Sequence, residues 1–129
     1  MQKLFFIFFL FPLFSKAQNM SLDTIKAPDT YDGIFSKRVG SDSLSSSFVI
    51  FIKKEVKKHK HAVHTENVCI LEGEGEMLLG DKTFKVKKGD IIFIPAGTPH
   101  ALKVTSSVPV KVLSIQSPGF DGKDRIFID

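Results

Sequence analysis

Beyond Gln18, no stretch of ten or more residues carries a helical period of apolar positions. The chain instead offers short runs rich in β-branched and aromatic residues, separated by turn chemistry. Phe48 to Lys53, Asn67 to Leu71, Glu76 to Leu79, Thr83 to Val86, Ile91 to Ile94, Ala101 to Thr105 and Val110 to Gln116 all read as strands. Between them lie Glu72-Gly73-Glu74-Gly75, the hairpin corner Gly80-Asp81, Lys88-Gly89-Asp90 and Pro95-Ala96-Gly97-Thr98-Pro99. Roughly seven strands at this close spacing predict an all-β single domain, an antiparallel sandwich or closed barrel. Closure would also hide the apolar edges that Val49 to Lys53 and Ile91 to Ile94 would otherwise offer for aggregation. Phe48 to Lys53 is apolar on both parities, which suits a strand packed on both faces or lying near an interface.

The first segment follows another logic. MQKLFFIFFLFPLFSKAQ has an early lysine, an apolar run from Leu4 to Phe14, and small residues before Gln18. It reads as a secretory signal peptide, residues 1–17, cleaved after Ala17. The run is too short for the roughly 20 residues of a membrane helix, so no stable membrane anchor is expected. The expected location is secreted or periplasmic. Removing the segment takes two lysines and no acids, lowering the formal charge from +4 to +2. That leaves little case for nucleic acid as a partner. The basic run Lys53 to Lys60 reads most simply as a solvated strand edge or loop.

The rest divides into an extended leader at 18–43, a barrel at 44–118 and a tail at 119–129. In the leader, Ile34 and Phe35 suit a short edge strand, and Val39 to Ser47 reads as loop. In the tail, Arg125 to Ile128 suits a last strand. The lone Cys69 cannot form a disulfide within the chain, and its apolar neighbours place it as a small buried side chain. A small domain without disulfides needs another source of stability, such as a closed core, a bound metal or a dimer interface.

All four histidines fall between Lys57 and His100. His59 and His61 share a parity, so on one strand both rings face the same side. After a break at Ala62-Val63, His64 and Glu66 share a parity on the next strand, and His100 follows a turn fixed by glycine and prolines. Three imidazoles and a carboxylate suit a divalent transition metal, Mn, Fe, Ni or Zn among them. Each part has a plainer reading: histidines in a basic run are usually solvated, and turn residues usually only turn. His64 has three readings open: a hydrogen-bonding or catalytic group, a further metal ligand, or a surface side chain. Cys69 has the opposite parity from Glu66 and should face away from the metal.

These residues resemble the cupin superfamily. Its first motif runs His-x-His, three or four residues, Glu, six residues, Gly, and the chain has His59-Lys60-His61, Glu66 and Gly73 at that spacing. Its second motif runs Gly, five residues, Pro-x-Gly, two residues, His, matched by Gly89, Pro95-Ala96-Gly97 and His100. Lys53 replaces an expected glycine and Val104 an expected asparagine, neither of them a ligand. The resemblance covers about residues 44 to 118. It implies a jelly-roll barrel, or double-stranded β-helix, with a metal held by His59, His61, Glu66 and His100, and a homodimer. It is compatible with a small-molecule enzyme of dioxygenase or isomerase type. It is equally compatible with a non-catalytic module for a small ligand, or with a domain that the metal stabilises. An isomerase needs a second proton-transfer group, for which His64 and Tyr31 are the candidates. Arg125, near the chain end, would pair with an acid or reach a neighbouring subunit.

Overall fold

The structure, a computed structural model, describes residues 17–129. The segment read as a signal peptide, residues 1–17, therefore lies, but for Ala17, outside the described residues. Ten strands form two five-stranded sheets, and every pairing is antiparallel. The strands are β1 (Ile34–Ser41), β2 (Ser46–Ile52), β3 (Glu55–Lys60), β4 (Thr65–Glu72) and β5 (Glu74–Leu79), then β6 (Lys82–Lys87), β7 (Ile91–Ile94), β8 (His100–Val104), β9 (Val110–Ser117) and β10 (Ile126–Phe127). One sheet runs β1-β2-β9-β4-β7 and the other β10-β3-β8-β5-β6. This is the double-stranded β-helix that the resemblance implies, within the antiparallel all-β class predicted by the spacing of strands and turns. Among the described residues no helix is long and apolar enough to cross a membrane.

The core lies between the sheets, where inward positions of both supply Ile52, Ile70, Met77, Ile92, Ile94 and Val112. Alternation within each strand selects these residues, and burying each contributes about 1.5–3 kcal/mol. Tight turns join the hairpins. Gly73, between β4 and β5, has φ +79°, and a Cβ there would lie 2.9 Å from the Pro109 carbonyl oxygen and 3.0 Å from the Val110 Cα. Only glycine suits that backbone and that space.

Strand β2 is packed on both faces, as its composition predicts, and the second face has a definite cover. Val49 and Phe51 form a second apolar cluster with Ile25, and Leu22, Tyr31 and Phe35 pack against it. The leader is thus part of the domain. Lys111 pins it: its buried ammonium donates to the carbonyls of Leu22 at 2.7 Å and Ile25 at 3.0 Å, and lies 5.3 Å from the Phe51 ring centroid.

Three expectations need correction. Strand β1 is eight residues long rather than a short Ile34-Phe35 pair, and the expected loop shrinks to Asp42–Ser45. Pairing along β2, with a bulge between Arg38 and Gly40, holds polar residues in strand that have no strand preference of their own. The Asp42 carboxylate accepts from the amides of Leu44 and Ser45 and closes the turn. Most of the basic run, Glu55–Lys60, is strand β3, as one of its two readings had it, but seated between β10 and β8 rather than at a sheet edge, with Lys53 and Lys54 in the bend before it. Cys69 is half-buried rather than buried, because β4 presents it on the outer sheet face opposite Ile91 and Leu113.

Candidate metal centre

His59 and His100 are directly opposed on β3 and β8, with ring centroids 4.2 Å apart. A register shift between Val56 and His59 lies just before the pair. Val56 already faces the interior, and without the shift, alternation would turn His59 outward. His61 lies just past the end of β3, not on it, with its ring 5.1 Å from that of His59 and 5.4 Å from that of His100. Glu66 comes from the opposite sheet, on β4 between Ile94 and Gln116. The four side chains therefore converge across the two sheets, 2–6% exposed.

Each of the three imidazoles has Nδ1 against a backbone carbonyl: His59 against Lys57 at 2.8 Å, His100 against Thr98 at 3.0 Å, and His61 against Asp124. A carbonyl only accepts, so Nδ1 carries the proton and Nε2 keeps its lone pair. The Nε2 atoms of His61 and His100 are buried and have no hydrogen-bond partner. Both face the Glu66 Oε2, at 3.4 and 3.5 Å. One ligand atom from each of His59, His61 and His100 lies within 4.8 Å of the others. Two orphaned, buried lone pairs aimed at a carboxylate are costly for a folded protein unless a cation completes them. The donor set fits a borderline divalent ion.

The electrostatics agree. Burial opposes ionisation of Glu66, but the adjacent His100 and His61 rings and the Ser114 hydroxyl, 2.5 Å from Oε1, hold its carboxyl well below the usual range. Burial, aided by the neighbouring His100 and Arg125, holds His59 at about 4, so it is neutral at physiological pH. For His61, burial is outweighed by Glu66 and the Asp124 carbonyl, and its pKa is raised.

The turn before His100 is tied to the first motif. Gly97, at φ +81°, donates its amide to the His61 carbonyl at 2.6 Å. The tail forms a second tie, which the sequence did not announce. The Asp124 carboxylate accepts from the amides of Ala62 at 2.7 Å, Val63 at 2.9 Å and His64 at 3.1 Å, and from His64 Nδ1 at 2.6 Å. Burial works against its ionisation, but the His64 ring and these amides hold its carboxyl well below the usual range. An aspartate in a polar tail carries no signal of that role.

His64 is 5% exposed and is not the surface side chain that one reading allowed. Its nitrogens face Asp124 and the Gly119 carbonyl, and its ring meets Phe120 edge-on at 5.1 Å. It lies outside the three-histidine group and does not line the cavity beside it. Tyr31 sits in the leader cluster, 6.1 Å from Phe35, and is not on that cavity either. Cys69 is likewise absent from the cavity wall, consistent with its parity. The cavity holds about 120 Å³ and is bounded by His59, Glu66 and His100 at the site and by Ile52, Met77, Ile94 and other apolar residues elsewhere. Of the two expectations for Arg125, an acid partner or reach to a neighbouring subunit, the first is not met among the described residues, and the side chain stands on the cavity wall.

Comparison with known proteins agrees with this geometry. The family described as Cupin domain matches residues 48–116. An uncharacterized protein of Methanocaldococcus jannaschii is 35% identical over 102 residues, covering 79% of this chain and 76% of its own. One from Aquifex aeolicus is 40% identical over 84 residues, covering 65% of this chain and 69% of its own. A solved structure from Klebsiella pneumoniae, described as having a double-stranded β-helix domain, superposes with a TM-score of 0.75 at 20% identity, over 88% of this chain and 99% of that one. With both motifs at their spacing and a buried histidine cluster where the two sheets meet, the chain belongs to the cupin family.

Proposed function

We propose that His59, His61, His100 and Glu66 hold a divalent transition-metal ion, and that the adjoining cavity admits one small molecule to it. The observation that carries this reading is the pair of buried, partnerless Nε2 atoms on His61 and His100 facing the ionised Glu66. The ion would act as a Lewis acid or redox centre toward a ligand in the cavity. The protein's own part is to fix the three ring tautomers, to keep Glu66 charged, and to surround the site with hydrocarbon.

Two placements favour binding, or chemistry centred on the metal, over isomerisation by a side-chain base. Among the described residues that line the cavity, neither His64 nor Tyr31 is present. In this reading His64 is a positioning residue, joining the 61–64 loop to the tail. A purely structural metal is the less favoured alternative, since it needs no cavity beside it. The signal-like leader supports a secreted or periplasmic protein, which N-terminal mass determination of material from cells tests directly. A homodimer is argued from resemblance and from the exposed Ile91 and Phe93 on edge strand β7, since the leader covers the outer face of β2. A monomer in light scattering refutes it.

Elemental analysis of gently purified protein tests the metal reading. About one Mn, Fe, Ni or Zn per chain is expected, lost in a folded His59→Ala variant. Absence of metal after reconstitution refutes it.

A further inference from the structure

Among the described residues the cavity wall contains one Lys or Arg side chain, Arg125, and it comes from the tail. Phe127 pairs with His59 across β10 and β3, and the two rings lie 6.1 Å apart on the same face. Arg125 lies just before β10, and its side chain stands on the cavity wall with those of His59 and His100. Its neighbour Asp124 turns to the 61–64 loop. Adjacent residues thus divide two tasks: one holds the loop and the other overlooks the cavity.

Arg125 is exposed, lines the cavity, and makes no ion pair or side-chain hydrogen bond among the described residues. Of the described residues on the wall, Glu66 is the only acid, and it faces His61 and His100. Most of the remaining wall is hydrocarbon from residues such as Ile50, Val68, Leu102 and Val112. The planar fork of a guanidinium at an apolar cavity matches a carboxylate through two parallel N–H···O bonds.

We infer that the cavity binds a small organic carboxylate, its carboxylate forked on Arg125 and its compact hydrocarbon body against the apolar wall. The choice of carboxylate over phosphate follows from the donors available. Among the described residues, Arg125 and the Ser36 hydroxyl are the only donor side chains on the wall apart from the histidines, whereas a dianionic phosphate is usually met by several donors and cations. The inference rests on the metal reading in one respect: with the dication bound, it and Arg125 outweigh the single charge of Glu66, so the site attracts an anion.

The test uses zinc-loaded protein, with 3-methylbutanoate, 3-methylbutanamide and inorganic phosphate as probes. Calorimetry follows binding, and NMR follows the Arg125 Nε–H signal. The carboxylate should give a saturable shift of that signal, and the isosteric amide should bind at least about tenfold more weakly. Arg125→Gln should weaken carboxylate binding by about 10- to 100-fold, while zinc affinity from chelator competition stays within about threefold of wild type. Arg125→Lys, which keeps the charge but not the fork, should retain an intermediate affinity. Absence of a saturable shift, equal binding of amide and acid, unchanged binding in Arg125→Gln, or phosphate as the tightest probe overturns the inference. Zinc retention is read separately. If wild type does not retain zinc, the metal reading fails, and the acid-over-amide preference of the metal-free protein still decides the role of Arg125.

Discussion

Asp124 connects the tail to the candidate metal centre, and its removal has a calculable result. In Asp124→Ala the carboxylate that accepts from three amides and the His64 ring is lost. Water can reach the amides of Ala62 and Val63, which are exposed, so those bonds are partly replaced. His64 is 5% exposed, and its ring nitrogen is left with less recourse. Together these changes should cost roughly 2–4 kcal/mol of stability. The main-chain carbonyl of residue 124 survives the substitution, but it fixes His61 only while the tail stays docked. Loosening it should therefore lower metal affinity by about 10- to 100-fold. Three readouts check this: urea denaturation, competition for zinc with a chromophoric chelator, and amide exchange at Ala62 to His64. Asp124→Asn, which keeps one acceptor, should fall between wild type and alanine. If Asp124→Ala binds zinc within about threefold of wild type and leaves exchange at the loop unchanged, the tail does not position His61.

Other consequences follow from the same contacts. In metal-free protein, His59 titrates at about 4 against an ordinary 6.5, so the unfolded chain takes up that proton first. Its contribution is complete above pH 6.5 and is lost as the pH falls toward 4. The full gap corresponds to about 3 kcal/mol, and roughly 1–2 kcal/mol after allowance for solvent screening. Because His61 is shifted the opposite way, the check is denaturation in chelator at pH 7.5 and pH 5, where His59→Gln should lose less stability on acidification than wild type. Gly73→Ala should cost about 2–4 kcal/mol, from a left-handed backbone and a close approach to Pro109 together. Gly89→Ala, at φ +95° with nothing within 4 Å, should cost only about 1–2 kcal/mol. Equal midpoint shifts in urea would refute the crowding argument at Gly73. Lys111→Met should free the leader, exposing its peptide bonds to proteolysis between Leu22 and Ile25 and costing about 2–4 kcal/mol. Unchanged proteolysis would show that Ile25 and its neighbours hold the leader without the lysine.

The strands were legible because their apolar runs are short and β-rich, and Ile91–Ile94 begins and ends at the residues the pattern assigns. The residues of the proposed metal site stood out through two spacings that physical chemistry alone reads only as a group of candidate ligands, and the structure brings their side chains together. Strand β1 was underestimated because the register of β2, not its own serines and lysine, keeps it extended. The register shift before His59 was invisible, since neither Lys57 nor Lys58 has the composition of a bulge. His64 was placed on the same strand as Glu66, whereas β4 begins at Thr65 and Asp124 draws the histidine to the tail. Asp124, Arg125, Ser114 and Lys111 act over sequence separations of 48 to 89 residues, or through a cavity. Periodicity and motif reading are local, and contacts at that range fall outside them.

The most direct test of the account is an anomalous diffraction map of metal-loaded crystals, recorded at the absorption edge of the loaded ion. The account predicts one dominant peak within bonding distance of the Nε2 atoms of His59, His61 and His100 and of the Glu66 carboxylate. A peak elsewhere, or none between those four side chains at full metal loading, would contradict it.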